Sequence, residues 1–380
     1  MNFDLTSEQD AIVSMTRAFA DDRIAPHALQ WDADKHFPTD VLAEAGALGL
    51  GGIYVREDVG GTGLGRLDAV LIFEALAKAC PTISAYISIH NMCVWMIDRF
   101  GTHSQRQTWC PHLVGLQNRT SYCLTEPGVG SDAGSLTTRA ERDGGGWVLN
   151  GQKQFISGAG SSALYLVMAR TGGAGAKGIS CFLVPGDAAG LSFGANERKM
   201  GWNAQPTRSV QMQDLRLGPE ALLGAEGQGF AIAMAGLDGG RLNIAACSLG
   251  GAGAALAKAL AYMGERRAFG KTLSDLQALQ FRLADMKINL EAARSFLWRA
   301  ACALDAGAPD ATVLCAAAKR FVTDTGFDIA NEALQLHGGY GYLSDYGIEK
   351  IVRDLRVHQI LEGTNEIMRL IVARALVAAP

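Results

Sequence analysis

The spacing of apolar residues changes period twice along the chain, and those two changes limit the folds open to it more than any single motif does. From residue 6 the period is helical: Thr6 and Gln9 fit a capping box, and Ile12, Met15 and Phe19 share one face. Similar stretches follow at 39–50, 66–80, 83–100 and 104–117. Near Arg119 the texture turns to short β-branched and aromatic runs, "WVLNGQKQFIS", "LYLVMAR", "GISCFLVP" and "SVQMQDL". Glycine-rich turns separate them, among them a hairpin signal at Asn150-Gly151 and a loop, "GGAGAKG", at 172–178. The helical period then returns over 226–263, 274–305, 309–337 and 364–378. The expected fold class is α+β and multidomain: an N-terminal helical domain at 1–118, a middle β domain of antiparallel strands at 119–225 and a C-terminal helical bundle at 226–380. The Gly/Ala richness of 245–257 suits a helix pressed closely against a neighbour.

A chain of 380 residues has ample material for a large core. Its 34 basic and 38 acidic side chains leave a net charge of only −4, and no Lys/Arg run offers a field for phosphate backbones or anionic lipid. No nucleic-acid partner and no membrane association are therefore expected. The most apolar uncharged run, Ile244 to Ala257, is shorter than the ~20 residues a membrane-spanning helix requires. The opening "MNFDLTSEQD" carries acids where a presequence would carry Arg or Lys, so a cytoplasmic location is expected, with a trimmed mitochondrial matrix form as the alternative. Eight cysteines without a C-x-x-C pair read as reduced core thiols, and no histidine pattern suggests a metal site. "GLSFG" at 190–194 lacks the strand-then-helix setting that would make Ser192 a nucleophile, and neither "GGTGLG" nor "GAGAAL" stands where a dinucleotide fingerprint must.

Several stretches carry groups suited to chemistry. "YCLTEPGVGSD" at 122–132 sets the Thr125 hydroxyl beside a Pro/Gly turn that ends at Ser131 and Asp132, a loop with backbone N–H groups open to a polar ring or a phosphate. "QFISGAG" at 154–160 offers a flat apolar face at Phe155 and a hydroxyl at Ser157, which strand alternation would put on one side. "GLDGGRLNI" places Asp238 and Arg241 three apart, on one helix face. "ERRAFGK" at 265–271 joins paired arginines to an aromatic and a glycine at a helix end, and Arg is a natural bidentate partner for pyrophosphate. "QLHGGYGY" at 335–342 is a glycine turn that lets backbone approach a ligand. "LEGTNEIMR" at 361–369 sets one acid, Glu362, on a short loop running into a helix.

As an ordered set these stretches resemble the acyl-CoA dehydrogenases, over essentially the whole chain. Within that family, "AYISIHNMCVWMID", "GWNAQPTRSV" and "LHGGYGYLSDYGIEK" resemble the branch that acts on isobutyryl-CoA in valine breakdown. The resemblance implies an N-terminal helical domain, a middle β domain and a C-terminal four-helix bundle, assembled as a homotetramer with FAD between the β domain and the bundle. It implies that Tyr122, Cys123, Leu124, Thr125 and Ser131, with Phe155, Ile156 and Ser157, hold the flavin ring, and that Thr364, Asn365 and Glu366 also touch FAD. Arg266, Phe269, Gln277 and the turn Gln335, Leu336, His337, Gly338 and Gly339 would serve the pyrophosphate and adenine side of a neighbouring subunit's FAD. Ser131, Asp238, Gly239, Gly240, Arg241 and Gly363 would meet the acyl-CoA. Glu362 would be the base that removes the α-proton, with hydride passing to flavin N5 and electrons onward to electron transfer flavoprotein. Many members have Trp and Thr where this chain has Phe155 and Ser157, and some take their base from the segment that here holds Gly239 and Gly240. The alternatives are butyryl-CoA or 2-methylbutyryl-CoA as substrate, direct reoxidation by oxygen, or a flavin-binding protein that has lost turnover. Tyr86 and His90 are candidates for the wall of the acyl pocket.

Overall fold

The structure, a computed structural model, describes residues 4–378; the expected segment limits at 1 and 380 lie outside the described residues. Six helices come first: α1 (Ser7–Phe19), α2 (Ala28–Asp34), α3 (Thr39–Ala47), α4 (Arg66–Ala79), α5 (Pro81–Phe100) and α6 (His103–Leu113). The capping box expected at Thr6 forms: its hydroxyl accepts the Gln9 N–H while the Gln9 side chain takes the Thr6 N–H. The short α2 has no counterpart in the sequence reading, since seven residues give too little periodicity to stand out.

The strands follow as β1 (Thr120–Cys123), β2 (Arg139–Asp143), β3 (Gly146–Ser157), β4 (Leu164–Arg170), β5 (Ile179–Pro185), β6 (Leu191–Phe193), β7 (Thr207–Leu217) and β8 (Leu222–Leu223). They form one sheet in the order β6-β7-β3-β2-β4-β5-β8, with β1 also paired to β4. The expectation of purely antiparallel strands needs correcting. β1 runs parallel to β4, from Thr120 opposite Leu164 to Cys123 opposite Val167, and β2 meets β4 in parallel at Arg139 and Arg170. β1 arrives directly from the helical segment, and β2 and β3 intervene before β4, so no tight turn forces the two to oppose.

The hairpin expected at Asn150-Gly151 does not form. β3 runs straight through the dipeptide, with a register shift against β7 between Leu149 and Gly151, and a Cβ at Gly151 would come within 2.6 Å of the Thr138 hydroxyl. The turn lies instead at Gly144 and Gly145 (φ +56° and +94°), where β2 folds back onto β3. The loop at 172–178 does join the antiparallel pair β4 and β5, as expected.

Helical structure resumes with α7 (Gly229–Glu265), a small hairpin of β9 (Arg267–Ala268) and β10 (Lys271–Thr272), then α8 (Gln277–Asp305), α9 (Ala311–His337), α10 (Ile348–Arg356) and α11 (Asn365–Ala378). α7 has 37 residues, about 55 Å at the α-helical rise, and packs against α4, α5, α8 and α9. Its small residues serve that packing: a side chain at Gly250 would run into the Glu74 carbonyl of α4. The helix extends well beyond the apolar run read from the sequence. By length and composition it could cross a membrane, yet 61 % of its most apolar window is buried in the protein, where it joins the largest core cluster. A second cluster, which includes Met92, Met96, Leu166, Ile179 and Leu237, ties α5 and α7 to the sheet. Glu362 lies beyond α10, on the short link into α11.

Candidate active site

The link into α11 turns through two left-handed residues, Glu362 (φ +55°) and Gly363 (φ +89°). Such a conformation is costly for any residue with a side chain, so the surroundings must hold Glu362 there. Two cations do so. Lys319, fully buried on α9, donates from Nζ to the Gly363 carbonyl and to Asn365 Oδ1, both at 2.8 Å. Arg241 on α7 reaches the Glu362 carbonyl with a long contact of 3.5 Å from Nε, while its Nη1 pairs with Asp238 Oδ1 at 2.6 Å.

The Glu362 carboxyl points inward, against α7. Oε2 is buried and has no hydrogen-bond partner, and a Cβ added at Gly240 would stand 2.6 Å from it and 3.0 Å from Met92 Sδ. Only glycine at 240 leaves that space. Burial pushes the carboxyl up to about 7, with the charges of Lys319 and Arg241 pulling the other way. Tyr122, on β1, has its hydroxyl buried without a partner, and Glu362 and Arg241 both act on it electrostatically. One buried acid, one glycine gap and one orphaned hydroxyl thus meet where α5, α7, β1 and the α11 link converge.

The expected site residues divide into groups. Gly240 stands against the buried Glu362 carboxyl, Arg241 reaches the Glu362 carbonyl and Tyr122 interacts with the acid electrostatically, Asp238 is tied to Arg241, and Gly239 faces Arg66 instead. The Asp238–Arg241 pair lies inside α7 and is largely buried, with Thr312 donating to Asp238 Oδ2 at 2.6 Å. Thr364 precedes α11, Glu366 is exposed, and the Asn365 side chain is buried against Lys319. Phe155 is 64 % exposed and adopts φ +59° at an irregularity of β3, so the strict alternation expected between Phe155 and Ser157 is broken there. Cys123, Leu124 and Ile156 are buried in the core, so their side chains are packing. Ser131 is exposed and Thr125 half-buried.

A separate cavity of about 380 Å³ opens where α7 ends, lined by Arg266, Arg282, Gln335, His337, Gly338 and Gly339 among others. Tyr262 stacks on His337 at 4.6 Å, and Arg266 faces the Tyr340 ring. Gln277 and Phe269 do not line this cavity; Phe269 projects from the β9–β10 turn, 93 % exposed. Tyr86 and His90 are core residues instead of pocket walls: the His90 ring meets the Leu113 carbonyl at 3.0 Å and the Thr120 N–H at 3.2 Å, and Tyr86 packs edge-on against Phe37.

A flavin fits this frame. An exposed aromatic face at Phe155, the half-buried hydroxyls of Thr125 and Ser157 and the open turn at Gly128 and Gly130 suit a planar heteroaromatic ring, and the two arginines with the open Gly338–Gly339 turn suit a pyrophosphate. The sequence reading missed Lys319, Arg282 and Met92. The signal for Lys319 was present: it interrupts an otherwise apolar face of α9 formed by Cys315, Val322, Gly326 and Ile329.

Three family models cover nearly the whole chain: the acyl-CoA dehydrogenase N-terminal domain at residues 6–116, the middle domain at 121–215 and the C-terminal domain at 227–377. The chain belongs to the acyl-CoA dehydrogenase family, whose members are FAD-dependent enzymes. It is 54% identical over 373 residues to the mitochondrial isobutyryl-CoA dehydrogenase of Dictyostelium discoideum, covering 98% of this chain and 90% of that one. With the mitochondrial isobutyryl-CoA dehydrogenase of Bos taurus it shares 52% identity over 372 residues, covering 98% and 89%. The butyryl-CoA dehydrogenase structure from Megasphaera elsdenii superposes with a TM-score of 0.96 at 36% identity, covering 99% of this chain and 100% of that one.

Proposed function

We propose that this enzyme dehydrogenates a short 2-methyl-branched acyl-CoA, with isobutyryl-CoA converted to methacrylyl-CoA, and that Glu362 is the base. The observation that carries the assignment of the base is the buried, unpartnered Oε2 of Glu362, held against Gly240 by a strained link. The full-length likeness to two isobutyryl-CoA dehydrogenases supports the branched substrate. The reaction takes one hydrogen from Cα as a proton and one from Cβ as a hydride, leaving a double bond between them. FAD, when bound, supplies the acceptor for the hydride.

The rest falls to the chain. An ordinary glutamate is too weak a base for a carbon acid; burial that raises Glu362 to about 7 strengthens it while leaving a useful ionised fraction at neutral pH. The free Oε2 lone pair is where the α-proton goes. Arg241 and Lys319 anchor the link through the successive carbonyls of Glu362 and Gly363, contacts that do not depend on the charge of the carboxyl. The glycine at 240 keeps the approach open. Residues Phe155, Ser157 and Thr125 would hold the flavin ring, and Arg266 with Gln335 to Gly339 would hold the phosphates of a neighbouring subunit's cofactor in a homotetramer. Electron transfer flavoprotein is the proposed acceptor of the electrons.

The test is anaerobic. Isobutyryl-, 2-methylbutyryl- and butyryl-CoA are added in turn to the yellow enzyme while flavin absorbance is followed. Isobutyryl-CoA is expected to bleach it fastest, and Glu362→Gln is expected to stay yellow and lose bleaching by 10³-fold or more, roughly the scale of removing a positioned general base. Faster bleaching by butyryl-CoA would reassign the substrate, and retained bleaching in the Gln variant would reassign the base. No bleaching with any thioester would leave a flavin-binding protein without turnover, a reading that the buried, unpartnered acid argues against.

A further inference from the structure

Lys319 is among the largest fully buried side chains of the protein, and it sits on the apolar face of α9. A buried ammonium normally pairs with an acid, because the cost of desolvation is otherwise uncompensated. This one does not: its hydrogen bonds go to two neutral acceptors, the Gly363 carbonyl and the Asn365 amide oxygen, one on each side of Thr364. Asn365 is fixed in turn by donating to Asp324 Oδ1 at 2.6 Å. The ammonium therefore ties down the link just past Glu362 and spends none of its charge on a directly bonded carboxylate.

We propose that Lys319 is the positioning residue of the Glu362 link, its ammonium tethering the strained backbone through Gly363 and Asn365 and holding an unpaired positive charge beside the segment that carries the Glu362 carboxylate. The proposal rests on Glu362 being the base. The other groups facing that carboxyl are poorly placed to do the same. Arg241 of α7 also reaches the Glu362 carbonyl, but at a long 3.5 Å, and its charge is paired with Asp238. Tyr122 of β1, Tyr54 of the loop before α4, Cys93 of α5 and Cys247 of α7 are all driven by burial toward their neutral forms. Burial lowers Lys319 itself to about 8, with Glu362 the leading influence holding it up.

Three variants separate tether from charge. Lys319→Gln keeps a donor but loses the charge, Lys319→Met loses both, and Lys319→Arg keeps both in altered geometry. Two readouts are taken on the flavin-loaded enzyme: the infrared carboxyl C=O band that wild type has and Glu362→Gln lacks, titrated without substrate, and the pH dependence of the flavin reduction rate. In the Gln and Met variants both midpoints are expected to move up by about one pH unit or more, as loss of the positive charge held beside that segment requires, while Lys319→Arg stays near wild type. At a pH above both midpoints, Lys319→Gln is expected to recover most of its rate with KM little changed. Lys319→Met is expected to remain slower, because its tether is gone. Unmoved midpoints in whichever neutral variant folds would overturn the proposal. If Glu362→Gln still reduced its flavin with substrate, the assignment of the base would fail, but the infrared titration would still report whether Lys319 governs that carboxyl.

Discussion

A left-handed backbone costs a non-glycine residue about 1–2 kcal/mol, and at Glu362 the carboxyl is buried as well. Two penalties on one residue should leave a mark on stability with a definite sign. Glu362 titrates near 7 in the folded enzyme against 4.5 when unhindered, so the folded state prefers the protonated form. The favourable contribution is complete below about pH 4.5 and is lost as pH rises through 7, up to roughly 3 kcal/mol in all. Chemical denaturation of the purified enzyme between pH 5 and 8, compared with Glu362→Gln, should show a decline in wild type that the variant lacks; parallel curves would mean that the carboxyl is not buried in solution. The motif around Glu362 was legible in the sequence, where "LEGTNEIMR" stands in the right order among its companions. Its burial was not, because that depends on Gly240 lying 122 positions earlier on another helix. Lys319 shows the reverse: its apolar neighbours marked it, but a lone lysine on a helix is ordinarily an exposed one.

Among the elements, β3 carries the largest difference between expectation and structure. Asn-Gly favours a hairpin only when the strands on either side are each other's best partners, and here both halves of β3 find β7 instead. The same strand carries Lys153, which is fully buried and bonded to Glu126 Oε1 at 2.9 Å and to the Leu124 carbonyl at 3.1 Å. Glu126 also takes the N–H groups of Thr137 and Thr138, and Gln154 donates its N–H to the Thr125 carbonyl. The turn after β1 and the Phe155 segment are thereby fixed to each other by an ion pair that neither motif announced. Burial opposes ionisation of Glu126, but Lys153 and these donors outweigh it and hold the acid down at about 2. Lys153→Met should cost about 3–5 kcal/mol in denaturant unfolding, since it strands a buried carboxylate, and should lower the flavin content of the purified protein. Replacing both partners, as Lys153→Met with Glu126→Leu, should recover part of the stability. Equal stability of the single variant and wild type would mean that the pair is solvated.

For the molecule as a whole, the helix–strand–helix order was readable because each segment is long enough for its period to outlast local exceptions, whereas α2 and the parallel β1–β4 pairing were too short or too remote to register. The long α7 has a further consequence. It acts as an internal ruler: Arg241, beside the buried acid, and Arg266, at its C-terminal end beside the 380 Å³ cavity, are 25 residues apart, about 37 Å along the helix. One extended flavin nucleotide cannot bridge that distance. On the proposed reading, in which the cavity beside Arg266 serves a neighbouring subunit's cofactor, a single copy of the chain holds two separate parts of a cofactor berth, and each is completed by another copy. Cofactor retention should then depend on protein concentration: serial dilution, followed by size-exclusion chromatography and flavin fluorescence, should release cofactor in step with dissociation, and a lone subunit that kept its flavin would break the geometry's logic.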